Sequence, residues 1–290
     1  MNPAEPTATK PLPVTGPRPV LACVADNERG ELVAAVAREW AGMLGAEPLL
    51  LNVAPDEAAA QRARDRWVEW GGAFTSVARR GEVDRIIRQH AQQRNAQLVI
   101  LGALEQDDVW TALYGSVARR VARFASCSVL LVPHPEKPTY GRVVASVKFD
   151  DRSTALLRYL GLLAKVKPPE RLDAIHEVEA YGDLIRTLGE SKAEAEEHRH
   201  TVDEDTRKQL EYLLQEVGLS DLPTQIECLQ GHAGPMGVEY AERVGANLLV
   251  VPAPPKPRFL DRFFKQPAEL VLNNLPCALL FHRPESGVRK

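Results

Sequence analysis

Apolar positions along this chain come in short unbroken runs, separated by longer stretches where they recur every three or four residues. Val20-Leu21-Ala22-Cys23-Val24, Leu98-Val99-Ile100-Leu101 and Val129-Leu130-Leu131-Val132 are runs of the first kind. They do not alternate with polar residues, so they predict strands buried on both faces, as in a parallel sheet covered by helices. Segment 82–95 is of the second kind, with Val83, Ile86, Ile87 and His90 on one helical face. In the first half the pattern predicts strands near 19–25, 48–54, 73–79, 98–102 and 128–133, and helices near 30–44, 56–70, 82–95 and 116–125. In the second half it predicts strands near 142–149, 172–178, 224–229, 247–252 and 277–282. Each half reads as β-α-β-α-β-α-β-α-β. The fold class is α/β, as two tandem five-stranded parallel-sheet sandwiches of Rossmann-like form.

The two halves match in detail. Gly81 and Gly231 stand 150 residues apart, as do Cys127 and Cys277, with no gap needed between them. Val20–Val24 matches Val143–Val147 at a separation of 123, so the second half carries 27 extra residues, mostly in the charged stretch 181–217. A two-copy period this long means duplicated domains and not a solenoid. The expected organisation is a Pro-rich tail (1–18), a first domain (19–134), a linker (135–141), a second domain (142–284) and a short tail (285–290). Pro133, Pro135 and Pro138 make the joint stiff and extended. The stretch 181–217 is expected to start as a helix, break near Thr201–Asp205 and resume through Leu210, Leu213, Leu214 and Val217. Thr201 or Asp203 would cap the second piece, in the role of a charged lid or docking helix. His198 and His200 lie beside glutamates, but residues two apart on an unbroken helix face away from each other and do not share a metal.

The segment most informative about chemistry runs from Leu98 to Val132. An apolar run ends in Gly102; a polar loop follows, then Gly115-Ser116, a helical pattern and another apolar run. In a parallel sheet, ligands sit beyond the carboxyl ends of the strands, where a helix start presents free backbone N–H groups to anions. Gly102 permits close backbone approach and Gly115 a tight turn. Ser116 either caps the following helix or bonds a phosphate. Glu105, Asp107 and Asp108 make this loop acidic, as solvated charges or as oxygen ligands for a bridging Mg²⁺. The equivalent loop of the second half begins Pro252-Ala253-Pro254-Pro255-Lys256-Pro257, and its four prolines remove four N–H donors. Lys265-Gln266 stands in place of Gly-Ser. Lys256, Arg258, Arg262 and Lys265 there are interleaved with Phe259, Leu260, Phe263 and Phe264, which suit either core packing or a partner surface.

Composition narrows the classes. At 290 residues, 44% hydrophobic and 26% charged, the chain reads as an ordinary globular protein of two domains. A net charge of −3 gives no electrostatic case for nucleic acid. No apolar run approaches the roughly 20 residues that span a bilayer, and the N-terminus lacks the apolar core of a secretory signal. The expected location is therefore cytoplasmic. Cys23, Cys127, Cys228 and Cys277 lie in or beside apolar runs without C-x-x-C spacing, as buried reduced thiols do. Phosphate-loop, H-E-x-x-H and G-x-S-x-G motifs are lacking, so the sequence does not read as that of an enzyme.

With this layout the chain resembles the universal stress protein family in its tandem, UspA-like form. The residues that carry the resemblance are Gly102, then Glu105 at a position usually glycine, nine residues, and Gly115-Ser116. Val117-Ala118-Arg119-Arg120-Val121, Ser126–Val132 and Arg80-Gly81-Glu82-Val83 add to it, and the likeness covers about 19–134 and 142–284. It implies an adenine nucleotide alpha hydrolase-like fold and binding of ATP, with or without magnesium. The implied nucleotide-binding positions are Asp26, Val53, Gly102, Gly115, Ser116 and Val117. Asp26 lies one residue past the family's acidic position, which Ala25 occupies, and Val53 fits the adenine side. The resemblance also implies pairing of 128–133 with 277–282 as an internal pseudo-dimer, with a homodimer as a further option. The expected function is a stress-response regulator whose first domain binds an adenine nucleotide and whose second domain is degenerate. The alternatives are a nucleotide-free interaction protein with another protein as partner, and a slow ATPase.

Overall fold

The computed structural model describes residues 18–78, 81–102, 117–133, 138–178, 192–230, 235–254 and 275–284. Its strands in the first half are β1 (Val20–Cys23), β2 (Pro48–Ala54), β3 (Phe74–Ala78), β4 (Leu98–Gly102) and β5 (Ser128–Val132). Those of the second are β6 (Arg142–Ser146), β7 (Arg171–Val178), β8 (Thr224–Gln230), β9 (Leu248–Pro252) and β10 (Ala278–His282). The helices are α1 (Glu28–Met43), α2 (Glu57–Arg66), α3 (Val83–Gln93), α4 (Arg119–Phe124), α5 (Asp151–Val166), α6 (Lys192–Glu216) and α7 (Pro235–Val244).

All ten strands form one sheet in the order β3-β2-β1-β4-β5-β10-β9-β6-β7-β8. Neighbours within each half are parallel. The halves meet through β5 and β10, which are antiparallel, with Leu131 opposite Leu279 and Leu130 opposite Leu280. The last strands thus pair as a pseudo-dimer requires. Leu98, Ile100, Leu130, Leu131, Leu279 and Leu280 are fully buried at the centre of the sheet, which is why these runs are apolar on both faces. Most residues of edge strands β3 and β8 are only half-buried. One face of the sheet is covered by α1 and α5, through Trp40, Leu156 and Leu160; the other by α3, α4 and α7, through Ile87, Val121 and Tyr240.

The duplication extends to single hydrogen bonds. Asn27 caps α1 by accepting from the Gly30 amide at 3.1 Å, and Asp150, 123 residues later, caps α5 by accepting from the Ser153 amide at 2.9 Å. Val20 pairs with Leu98 as Val143 pairs with Leu248. The halves depart at α6, the counterpart of α2: it has 25 residues against 10 and is continuous through Thr201–Asp205. The break expected there is absent. No glycine or proline lies between 192 and 216, and Thr206, Leu210 and Leu214 form a buried stripe at helical spacing. Packing therefore overrides the local capping preference of Thr201 and Asp203.

The linker is pinned by Tyr140, which adopts a positive φ of 58°. The Trp40 indole N–H donates to its hydroxyl at 2.8 Å, and the two rings meet edge to face at 5.5 Å. Lys167 lies 5.3 Å from the Tyr140 ring centre and pairs with Glu39 of the first half. All four cysteines are unbridged. Burial pushes the Cys127 thiol up to about 11 and the Cys277 thiol up to about 12, so both stay protonated and inert at neutral pH.

Candidate functional site at the carboxyl edge of the first half

Strand order 3-2-1-4-5 places β1 between β2 and β4, so the chain leaves β1 in opposite directions on its two sides. The crevice at the carboxyl ends of β1 and β4 is the topological switch point, where open α/β sheets take ligands. Cys23 ends β1, with its thiol pushed up to about 12 by burial, and is no nucleophile. Ala25 follows. A Cβ on Gly30 would lie 2.0 Å from the Ala25 carbonyl oxygen, so only glycine lets α1 begin this close to the loop.

Val53 ends near this edge from β2, and Val117 precedes α4; both are half-buried against the same apolar face as Ile87. Gly102 closes β4 beside Val132. Its missing Cβ faces the other way, where one would meet the Val33 methyl at 2.5 Å, so this glycine is already required by the packing of α1 on β4. Asp26 is exposed and its carboxylate lies 3.7 Å from Arg66 Nε, while Arg66 also holds Glu31 at 2.6 Å. Asp26 thus helps tie α1 to α2. Gly115 and Ser116 lie outside the described residues, as do Glu105, Asp107, Asp108 and the stretch from Pro255 to Lys265-Gln266.

Sequence reasoning missed a polar relay behind this edge. Asn52 Nδ2 donates to the Val24 carbonyl at 2.9 Å and Ser76 Oγ donates to Asn52 Oδ1 at 2.9 Å. In the second half His176 Nδ1 donates to the Val147 carbonyl at 2.7 Å, at the same place in the repeat. The missed signal was a polar residue at matching strand ends, 124 positions apart.

The second switch point, between β6 and β9, is edged differently. Lys148 is exposed past β6, and β9 ends in Pro252, which has no N–H. Glu177, at the place of Val53, accepts from the Gly237 amide at 2.8 Å and from Ser146 Oγ at 3.0 Å. A carboxylate of the protein itself therefore takes one backbone donor in the first turn of α7. β10 ends in His282, 5% exposed, whose ring lies 4.8 Å from that of Tyr159. Burial pulls its pKa down to about 4, so it is neutral at pH 7. No group of three or more His, Cys, Asp or Glu side chains that could hold a metal exists among the described residues. No helix among them is long and apolar enough to cross a membrane.

Comparison with known proteins agrees with this architecture. The family model of the universal stress proteins matches the chain twice, over residues 25–133 and 139–283, and the chain belongs to that family. Its fold is similar to that of a Pseudomonas aeruginosa UCBPP-PA14 protein assigned to the universal stress proteins, at 20% identity and TM-score 0.67, covering 92% of this chain and 94% of that one. It is also similar to a protein of unknown function from Pseudomonas aeruginosa PAO1, at 20% identity and TM-score 0.65, covering 92% and 93%. A universal stress protein from Archaeoglobus fulgidus DSM 4304 matches at 13% identity and TM-score 0.61, covering 91% and 96%. No curated protein matches the sequence.

Proposed function

We propose that this tandem universal stress protein is a non-catalytic regulator whose first domain (19–134) binds ATP or a related adenine nucleotide, and whose second domain (142–284) has lost that capacity. One observation carries the reading. The two matching switch points differ at their rims: Ala25 and Gly102 in the first; Lys148, Pro252 and the Glu177 carboxylate in the second. Ala25 leaves room at the first rim, whereas at the second the longer Lys148 stands in that place, Pro252 has no N–H and the Glu177 carboxylate repels a phosphate.

In this reading Val53 flanks the base, and Gly102, Gly115, Ser116 and Val117 surround the phosphates. Asp26, already paired with Arg66, shapes the crevice through α1 and α2. In this reading any Mg²⁺ is carried in on the nucleotide phosphates, whose oxygens are its preferred ligands. Cys23, at the end of β1, is held protonated by burial and offers no nucleophile, and in this reading ATP is held without turnover.

Native mass spectrometry of freshly purified protein tests this. One adenine nucleotide per chain is expected, and Gly115→Trp is expected to abolish it while leaving the fold intact. Two nucleotides per chain, or one that survives Gly115→Trp, contradicts the assignment. Labelled ATP hydrolysed in a single-turnover assay contradicts the non-catalytic part.

A further inference from the structure

We infer that Asp84 and Arg120 are positioning residues of the first domain, setting the direction from which α4 meets the ligand; this rests on the nucleotide reading above. Asp84 lies in the first turn of α3 with its side chain 3% exposed. Its carboxylate sits between two guanidiniums: Arg88 Nη2 at 2.9 Å from Oδ2, and Arg120 Nε at 3.0 Å from Oδ1. Arg120 Nη1 also reaches Glu82 at 2.6 Å. The Nε–Oδ1 contact is coulombic, since neither atom makes an aligned hydrogen bond. A carboxylate this buried is tolerable only with such partners, and its place in the first turn of a helix adds a favourable dipole.

Arg120 is the second residue of α4, so the network ties the start of α4 to the start of α3. With six residues, α4 is too short to hold a direction by itself. Its orientation comes from the burial of Val121 and Ala122 and from the Arg120 ion pairs. The chain enters α4 through Val117, directly after Gly115-Ser116. The Arg120 charge is committed to two carboxylates, so it acts on a ligand by aiming this entry and not by touching phosphate.

The two copies differ at this network. The positions 150 residues after Glu82, Asp84, Arg88 and Arg120 hold His232, Gly234, Val238 and Leu270. All four charges are missing from the copy that also lacks the Gly-Ser pair.

The test is calorimetric titration of the full chain with ATP and with adenosine, for the unaltered protein, Asp84→Asn and Arg120→Gln, each checked for native circular dichroism. In both variants ATP affinity is expected to fall about tenfold or more, the size seen when an outer partner of a binding group is removed at metal sites. Adenosine affinity is expected to change by less than about twofold, because re-aiming α4 disturbs only the phosphate end. Arg120→Gln, at a side chain 42% exposed, decides the matter if Asp84→Asn does not fold. Equal losses for ATP and adenosine, or unchanged ATP affinity in folded Arg120→Gln, overturn the positioning role. No ATP binding by the unaltered protein overturns the nucleotide reading, and this inference with it.

Discussion

Val53 and Glu177 hold the same place in the two halves, two residues beyond the register partner of the last residue of the first strand. The valine packs against the apolar helical face, while the glutamate binds a helix amide and a serine hydroxyl. One residue earlier, Asn52 and His176 both donate to the carbonyl that follows the first strand. There the backbone acceptor is constant and only the donor differs, because a carbonyl buried at that edge must be satisfied in either copy. The comparison separates two kinds of position. Those answering to burial or backbone hydrogen bonding are repeated in kind, and those facing the crevice have diverged.

Substitutions at four places press on this comparison. Leu280→Ala removes a fully buried side chain at the antiparallel junction, as Leu130→Ala does from the other side. Each should cost about 2–5 kcal/mol in denaturant unfolding, as a single transition. Separate transitions for the two halves would show that the continuous sheet is not one cooperative unit.

His282 stands where the first half has Val132. Its folded pKa is lowered from 6.5 to about 4, so between these values the unfolded chain binds a proton that the native state refuses. Stability from this group is complete above pH 6.5 and falls by up to about 3 kcal/mol as pH drops toward 4. His282→Val should lack that slope, and parallel stability–pH curves for the two proteins would refute the assignment.

Gly102→Ala should cost about 1–3 kcal/mol by pressing on Val33, and adding Val33→Ala should recover part of the loss. Strict additivity of the two changes would mean that the glycine is not there for α1. Tyr140→Phe has the smallest expected effect, about 1 kcal/mol, from the hydrogen bond lost at the Trp40 indole. An unchanged unfolding midpoint would remove Tyr140 as the pin between the halves.

The fold was legible because strands buried on both faces must be continuous apolar runs, and both copies repeat them. The pairing of β5 with β10 was legible only through family resemblance, since one apolar run does not name its neighbour. Helix α6 was misread because Thr201 and Asp203 carry a local capping signal, while the stripe Thr206-Leu210-Leu214 that holds the helix is a tertiary fact. The Asp84–Arg120 contact was invisible for a similar reason: charges on amphipathic helices read as solvent-facing until a second helix is placed against them. Gly102 drew attention as a residue over which a ligand could approach, and the sequence held no sign that Val33 already claims its open side.

Photolabelling of the full chain with azido-ATP, followed by peptide mapping, tests most directly whether the halves differ in binding. Label confined to peptides within 19–134, and suppressed by excess ATP, is the predicted result. Label within 142–284, or none that excess ATP suppresses, would contradict it.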